Sequence, residues 1–213
     1  MVGILLTVME LAIRAKEIMA VIIDFNGYFT TPETFVAKEF GIMTPTVDSA
    51  GHLIDEKGLF LPCCNWEELE TDLQLFYTYI IDKINGIPWE SGSIAANEQK
   101  NIFKHYLKNA KFIIVANTLK KKLLEQIIGD ANKIICMTDL QYDDTDRLET
   151  NCPNHLRPNT NCAYDNVTRI KHFLSRTGLT NLINYARQGD TRYLDGPTKS
   201  FLEFFIQETF KDD

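Results

Sequence analysis

The run Asn-Cys152-Pro-Asn-His155-Leu-Arg-Pro-Asn-Thr-Asn-Cys162-Ala places two sulfurs and an imidazole in a Cys-x2-His-x6-Cys spacing that ends where a helix is expected to begin. Thiolate and imidazole are donors that Zn2+ prefers, and a loop rich in Asn and Pro can fold back so that the three converge without disturbing a strand. Three donors make three-quarters of a tetrahedral sphere. His172 is the one further Cys or His close behind, so the fourth position falls to water or to a residue distant in sequence.

The segment from Thr34 to Met43 is β-branched and aromatic and reads as a strand. Alternation along it puts Phe35, Ala37, Glu39, Gly41 and Met43 on one face, so a carboxylate sits among apolar neighbours and needs a counter-charge or a metal. Glu39 is therefore the candidate fourth ligand, 113 residues before Cys152. A closed Glu39-Cys152-His155-Cys162 sphere around Zn2+ would be structural rather than catalytic. The plainer account makes Cys152 and Cys162 small buried residues with His155 hydrogen-bonded nearby, and Glu39 an ordinary cross-strand partner.

A second place for chemistry is Asp24, at the end of the apolar run Ala20-Val-Ile-Ile-Asp24-Phe25. Metal-dependent exonucleases carry their first metal-binding carboxylate on such a central strand, usually as Asp-x-Glu, but the triplet here is Asp24-Phe25-Asn26. Two divalent ions need several carboxylates to offset their charge, and the amide removes one negative charge. A single-strand nuclease would need Asp24 together with acids from Asp139, Asp143, Asp144 or Asp165.

Basic residues gather in two places. A spacing of four puts Lys100, Lys104 and Lys108 on one helical face, and Lys120, Lys121 and Lys122 open another helix. A solvated face is the plain account. The sharper one is a track for a nucleic-acid backbone, with Trp89 or Tyr106 as stacking partners. A formal charge of -7 over 213 residues excludes a protein whose whole surface grips nucleic acid.

The elements that must position these residues follow from apolar spacing. Strands are expected at Ala20 to Phe25, ended by a turn at Asn26-Gly27, then at Thr34 to Met43 and Gly58 to Pro62. Leu69, Leu73, Phe76, Ile80 and Ile84 mark one face of a long helix from Trp66, and a second helix runs from Ile94 to Leu107. The strand Phe112 to Ala116 precedes a helix capped by Asn117-Thr118 with Leu119, Leu123 and Ile127 inward. The strand Lys133 to Met137 is followed by a long loop. A helix with Ala163, Val167, Ile170 and Leu174 on one face comes next, and helices near 179–187 and 198–210 finish the chain. Three strands followed by helix, strand, helix, strand, helix is the order of a ribonuclease-H-like α/β fold, a mixed five-stranded sheet flanked by helices.

The layout resembles the acidic-residue 3'-5' exonucleases. Val-Ala-Asn117-Thr-Leu-Lys-Lys121 is similar to their second motif with Lys121 in place of the acid. Asn161-Cys-Ala163-Tyr-Asp165-Asn166 is similar to the third, with Asn161 in place of the general-base His and Asn166 in place of the last acid. With Glu39 in Ala-Lys-Glu-Phe-Gly, Cys152 and His155 in Cys-x2-His, and Cys162 in Cys-Ala at a helix start, the chain resembles the Maelstrom domain over roughly residues 20–176. That is a ribonuclease-H-like module of the animal piRNA pathway that lost the exonuclease acids and gained a Glu-Cys-His-Cys zinc site. The resemblance implies a catalytically degenerate domain in small-RNA and transposon silencing, associated with single-stranded RNA or with protein partners of a silencing complex, and a weak RNA cleavage whose residues it does not assign. A purely structural adaptor is the remaining alternative.

The composition, 45% hydrophobic and 24% charged, is that of an ordinary globular protein. Residues 19–213 are expected to form one domain with a C-terminal helical extension, after a leader at 1–18 that is disordered or a short helix. The leader's apolar stretch is cut short by Glu10 and Arg14, well below a membrane span. Five cysteines, an odd number including adjacent Cys63 and Cys64, point to a reducing intracellular compartment, cytoplasmic or nuclear. Cys63, Cys64 and Cys136 are expected to fill core, and His52, His105 and His172 stand alone.

Overall fold

The two continuous apolar runs, around Ile22 and Ile114, lie side by side in the middle of one sheet, buried on both faces. The computed structural model describes residues 18–31, 33–45, 53–129, 133–140, 142, 152–156, 161–174, 196 and 199–201. Its strands are β1 (Ile18–Thr31), β2 (Thr34–Met43), β3 (Asp55–Leu59), β4 (Ala110–Val115) and β5 (Ile134–Cys136). Its helices are α1 (Thr71–Ile80), α2 (Gln99–Leu107), α3 (Thr118–Ile128) and α4 (Ala163–Leu174). The strand order is β3-β2-β1-β4-β5, antiparallel on the β2 side of β1 and parallel on the β4 side. It is a five-stranded mixed sheet flanked by helices.

Alternation along β1 sorts the core into two layers. Val21, Ile23 and Phe25 pack with Phe103 and Leu107 of α2 and with Leu123, Leu124, Ile127 and Ile128 of α3. Ala20 and Ile22 face the other way and pack with Val167, Ile170 and Leu174 of α4 and with Phe201. Asp24 continues that second series, so its carboxylate points towards α4.

Asn26-Gly27 is not the end of β1. The strand runs on to Thr31, and the pairing passes from Asn26↔Glu39 to Gly27↔Ala37, leaving Lys38 as the extra residue of a bulge. A Cβ on Gly27 would lie 2.1 Å from the Val36 carbonyl oxygen, so the dipeptide serves a close backbone approach where a turn was expected. The bulge also splits the expected face of β2. Gly41 and Met43 lie on the α4 side, whereas Phe35 and Ala37 pack into the layer under α2 and α3.

The other differences have similar local causes. The long helix expected from Trp66 is a 3-10 turn (Trp66–Glu68), then α1, then a π-helical turn (Ile81–Asn85) closed by Gly86 in the left-handed region at φ 62°. Tyr77 takes the buried position in α1, its hydroxyl bonded to the backbone of Phe29, and Phe76 faces out. The third strand is shifted to Asp55–Leu59, with Phe60 bridged to Ile94, and a 3-10 turn (Ala96–Glu98) precedes α2. Asn117 caps α3 with its side chain and Leu123 and Ile127 are buried, as expected, with Leu124 and Ile128 buried beside them, but Leu119 is exposed. Cys63 is exposed and Cys64 half-buried, contrary to the core role expected of them, while Cys136 is buried. The helix near 179–187, the leader up to residue 17, His52, Asp143 and Asp144 lie outside the described residues. Of the helix near 198–210, residues 199–201 are described as helical. Among the described residues no helix is long and apolar enough to cross a membrane.

Candidate metal centre

The end of the π-helical turn leaves carbonyls without helical partners, and the cysteine-histidine loop uses them. Leu156 N–H donates to Gly86 O at 2.7 Å, Asn161 N–H donates to Ile84 O at 3.2 Å, and the His155 imidazole meets Asn85 O through Nδ1. Within the loop, His155 N–H donates to Cys152 O at 3.2 Å, closing the Cys-x2-His segment into a turn. The loop is thereby laid against the start of α4, where Cys162 is buried.

Gly41 sets how closely α4 approaches. A Cβ there would stand 2.6 Å from Tyr164 Cα and 3.0 Å from Ala163 O, so a side chain on β2 would push the helix start away. The close approach brings Ala163 N–H to Glu39 Oε1 at 3.1 Å, and Asn26 Nδ2 donates to the same oxygen at 2.6 Å. Oε2 is left facing His155 Nε2 at 3.2 Å.

Cys152 Sγ, Cys162 Sγ and a nitrogen of His155 all lie within 4.8 Å of one another, and these three residues could hold a metal ion. The imidazole is fully buried, and Nε2 has no aligned hydrogen-bond partner. With Nδ1–H donating to Asn85 O, Nε2 presents a lone pair to a carboxylate oxygen. Two acceptors at that distance repel unless a proton or a cation lies between them. A metal-bound histidine ordinarily has this arrangement, one nitrogen anchored to a carbonyl and the other aimed into the site.

The electrostatics point the same way. Burial alone would lower the His155 pKa, but the Glu39 carboxylate, the Asn85 carbonyl and the charge of Asp165 outweigh it and hold the imidazole above its usual range. Burial pushes the Cys162 thiol far up, and the charges of Glu39, Asp165 and Cys152 push it further. Asp165 Oδ2 is itself buried without a hydrogen-bond partner. A divalent cation would convert this crowding of acceptors into ligation and favour the thiolate.

Glu39 stands beside His155 through Oε2, while the ligand atoms that lie within 4.8 Å of one another are those of Cys152, His155 and Cys162. Asn26, Asn85, Asn161 and Asp165 complete the surroundings and were not anticipated in that role. Asn161 O accepts from Asn26 Nδ2 at 2.6 Å, and Asn161 Oδ1 accepts from Asn166 Nδ2 at 2.7 Å. Three of the four surrounding residues are Asn, but they lie far apart in the sequence, so no local signal marked them.

Asp24 belongs to a different arrangement. It is fully buried, its Oδ2 accepts from Asn166 Nδ2 at 2.6 Å, and its Oδ1 lies 3.0 Å from the Lys120 ammonium. Of the other acids named for a nuclease, Asp139 is exposed and Asp165 borders the cysteine cluster. Lys100, Lys104, Lys108 and Lys122 are exposed, Lys121 is half-buried, and Lys120 is turned inward. Trp89 is buried among Tyr28, Trp66 and Tyr77, so it is no stacking platform beside the lysines, and Tyr106 is partly buried against the core. Set against known proteins, the chain matches no family model and no curated protein.

Proposed function

We propose that the chain is a zinc-stabilised, catalytically degenerate relative of the ribonuclease-H-like exonucleases that acts as a binding module. The observation that carries this reading is the convergence of Cys152, His155 and Cys162, with Glu39 Oε2 3.2 Å from the His155 imidazole. Two sulfurs and one imidazole suit Zn2+ over harder ions, and a carboxylate held through Oε1 can offer Oε2 as the fourth donor. Zinc bonds of 2.0–2.3 Å imply ligand separations of roughly 3.4–3.8 Å, so drawing in Cys152, His155 and Cys162, whose ligand atoms lie within 4.8 Å of one another, takes side-chain movements of up to about 1 Å. The ion would tie β2 and the π-helical turn to the start of α4. Strand order β3-β2-β1-β4-β5 with helices on both faces supports the ribonuclease-H-like assignment.

Degeneracy is supported by Asp24, whose partners are an amide and an ammonium instead of a second carboxylate. The module's partner, by the likeness to the Maelstrom domain, is single-stranded RNA or a protein of a small-RNA silencing complex. Lys100, Lys104, Lys108 and Lys122 are exposed candidates for the phosphate backbone.

Metal analysis of the purified chain beside Cys152→Ser tests the metal reading. One equivalent of zinc in the wild type is expected, with loss of both zinc and cooperative melting in the variant, because binding free energy of a structural zinc is folding free energy. A metal-free wild type that melts like the variant would overturn it. Binding of labelled single-stranded RNA at low salt, weakened by Lys100→Ala with Lys104→Ala, tests the partner. No binding there favours the adaptor, and magnesium-dependent cleavage lost on Asp24→Asn would reinstate the nuclease.

A further inference from the structure

Lys120 lies in the first turn of α3, where the exposed N–H groups make the helix end positive and an ammonium is unfavourable. Asn117 caps that end by accepting from Lys120 N–H at 3.0 Å. The side chain nevertheless turns inward, with 13% of it exposed, to the carboxyl end of β1. Its Nζ meets three oxygens there: Asp24 Oδ1 at 3.0 Å, Asn26 Oδ1 at 3.0 Å, and the Phe25 carbonyl. The Phe25 ring centroid is 5.1 Å away, a further favourable contact for a cation. Asp24 is fully buried and Oδ1 has no aligned hydrogen-bond donor, so the ammonium supplies charge to it more than hydrogen-bonding geometry.

A carboxylate, a side-chain amide oxygen and a backbone carbonyl around one positive centre are the donors of a hard-cation site. We propose that this is a divalent-cation pocket whose cation is supplied in cis: Lys120 occupies it as a tethered ammonium and closes it to metal in the wild-type chain. The proposal concerns different ligands from the cysteine cluster and goes beyond the function proposed above. It gives a physical reason why Asp24 does no metal chemistry that holds whether or not the cysteine cluster carries zinc. The occupant is +1 where a divalent ion would be +2, and it matches the single buried carboxylate that remains.

Removing the ammonium leaves Asp24 a buried charge without a counter-ion, and a soluble cation should replace it. The probe is Mn2+, titrated into zinc-loaded protein and followed by electron paramagnetic resonance of free Mn2+. Wild type is expected to sequester no Mn2+ in a manner sensitive to Asp24→Asn. Lys120→Ala is expected to take up one equivalent, weakly, with a melting temperature that rises on Mn2+ addition, and Lys120→Ala with Asp24→Asn to lose both effects. Folded Lys120→Ala that takes up no Mn2+ overturns the proposal, as does wild type whose Mn2+ uptake disappears on Asp24→Asn. Should Lys120→Ala fold only when Mn2+ is present, the proposal stands. Should it stay unfolded at every Mn2+ concentration while the neutral pair Lys120→Met with Asp24→Asn folds, the proposal falls. The zinc content of each variant, read separately, reports on the cysteine cluster, so failure here is distinguishable from failure of that site.

Discussion

Buried charges decide most of what individual residues do in this chain. Lys38 is the extra residue of the β2 bulge and is almost fully buried, with its ammonium donating to the carbonyls of Trp89 and Ser91 at 2.5 Å each. Burial lowers its pKa to about 8, with the charge of Glu90 working in the opposite direction. In the unfolded chain the amine keeps its ordinary value near 10.5, so between these values the unfolded state holds more protons and stability must rise with pH. Below pH 8 both states are protonated and the burial penalty is felt in full. Tyrosine and cysteine ionisation acts against this at higher pH: burial raises Cys64 to about 11, so the unfolded chain loses that proton first and is favoured. Comparison with Lys38→Met isolates the lysine. From pH 7.5 to 9.5, wild type should gain about 1–2 kcal/mol relative to the variant in urea unfolding, and a constant difference would show that the amine is not perturbed.

At the scale of elements, contact between β2 and α4 shapes the candidate metal centre, and a glycine controls that contact. Gly41→Ala places a Cβ 2.6 Å from Tyr164 Cα, and the obstacle is backbone that cannot step aside as a flexible side-chain tip could. The helix start must move, separating Ala163 N–H and Cys162 from Glu39. Destabilisation of about 2–3 kcal/mol is expected, with weakened zinc binding, whereas an overpacked site remote from the cluster would lower stability alone. Competition with a chromophoric chelator measures the second effect. The sequence made much of this frame readable, because the apolar runs of β1 and β4 and the period of α4 are strong signals, and the Cys-x2-His-x6-Cys spacing named the three residues that could hold an ion. What it concealed was set by tertiary contact. Asn26-Gly27 carries the composition of a turn, yet Gly27 is needed where backbone presses against Val36, and the resulting bulge reassigns Phe35 and Ala37 to the opposite layer. Lys120 belongs to a run of three lysines that reads as solvated surface, and only tertiary contact with Asp24, Phe25 and Asn26 turns it inward.

For the molecule as a whole, the two layers of the core depend on the cluster unequally. The layer under α2 and α3 is built from a continuous set of buried side chains, including Phe25, Phe103, Ile113 and Leu124, and neither α4 nor the cysteine-histidine loop contributes to that cluster. The α4 layer is held partly by Val167, Ile170 and Leu174 and partly by the polar chain from His155 through Glu39, Asn26, Asn161 and Asn166 to Asp24. A buried polar chain is firm only when each member is satisfied; His155 Nε2 at one end and Asp24 Oδ1 at the other have no hydrogen bond, and Oδ1 has the Lys120 ammonium beside it while Nε2 faces the cysteine cluster. On the proposed reading, removing the ion takes away its bonds to the two sulfurs, leaving Nε2 and Oε2 joined only through a proton and the Cys162 thiol protonated. The consequence should therefore be local opening of α4 from β2 before global unfolding. Hydrogen exchange after treatment with a strong chelator is expected to show amide protection falling at least tenfold over residues 163–174, with residues 101–107 and 121–128 changing little. Zinc should restore the original pattern. Equal loss over both layers would mean that the ion stabilises the sheet as one cooperative unit, and unchanged exchange at α4 would mean that the cluster holds no metal of structural consequence.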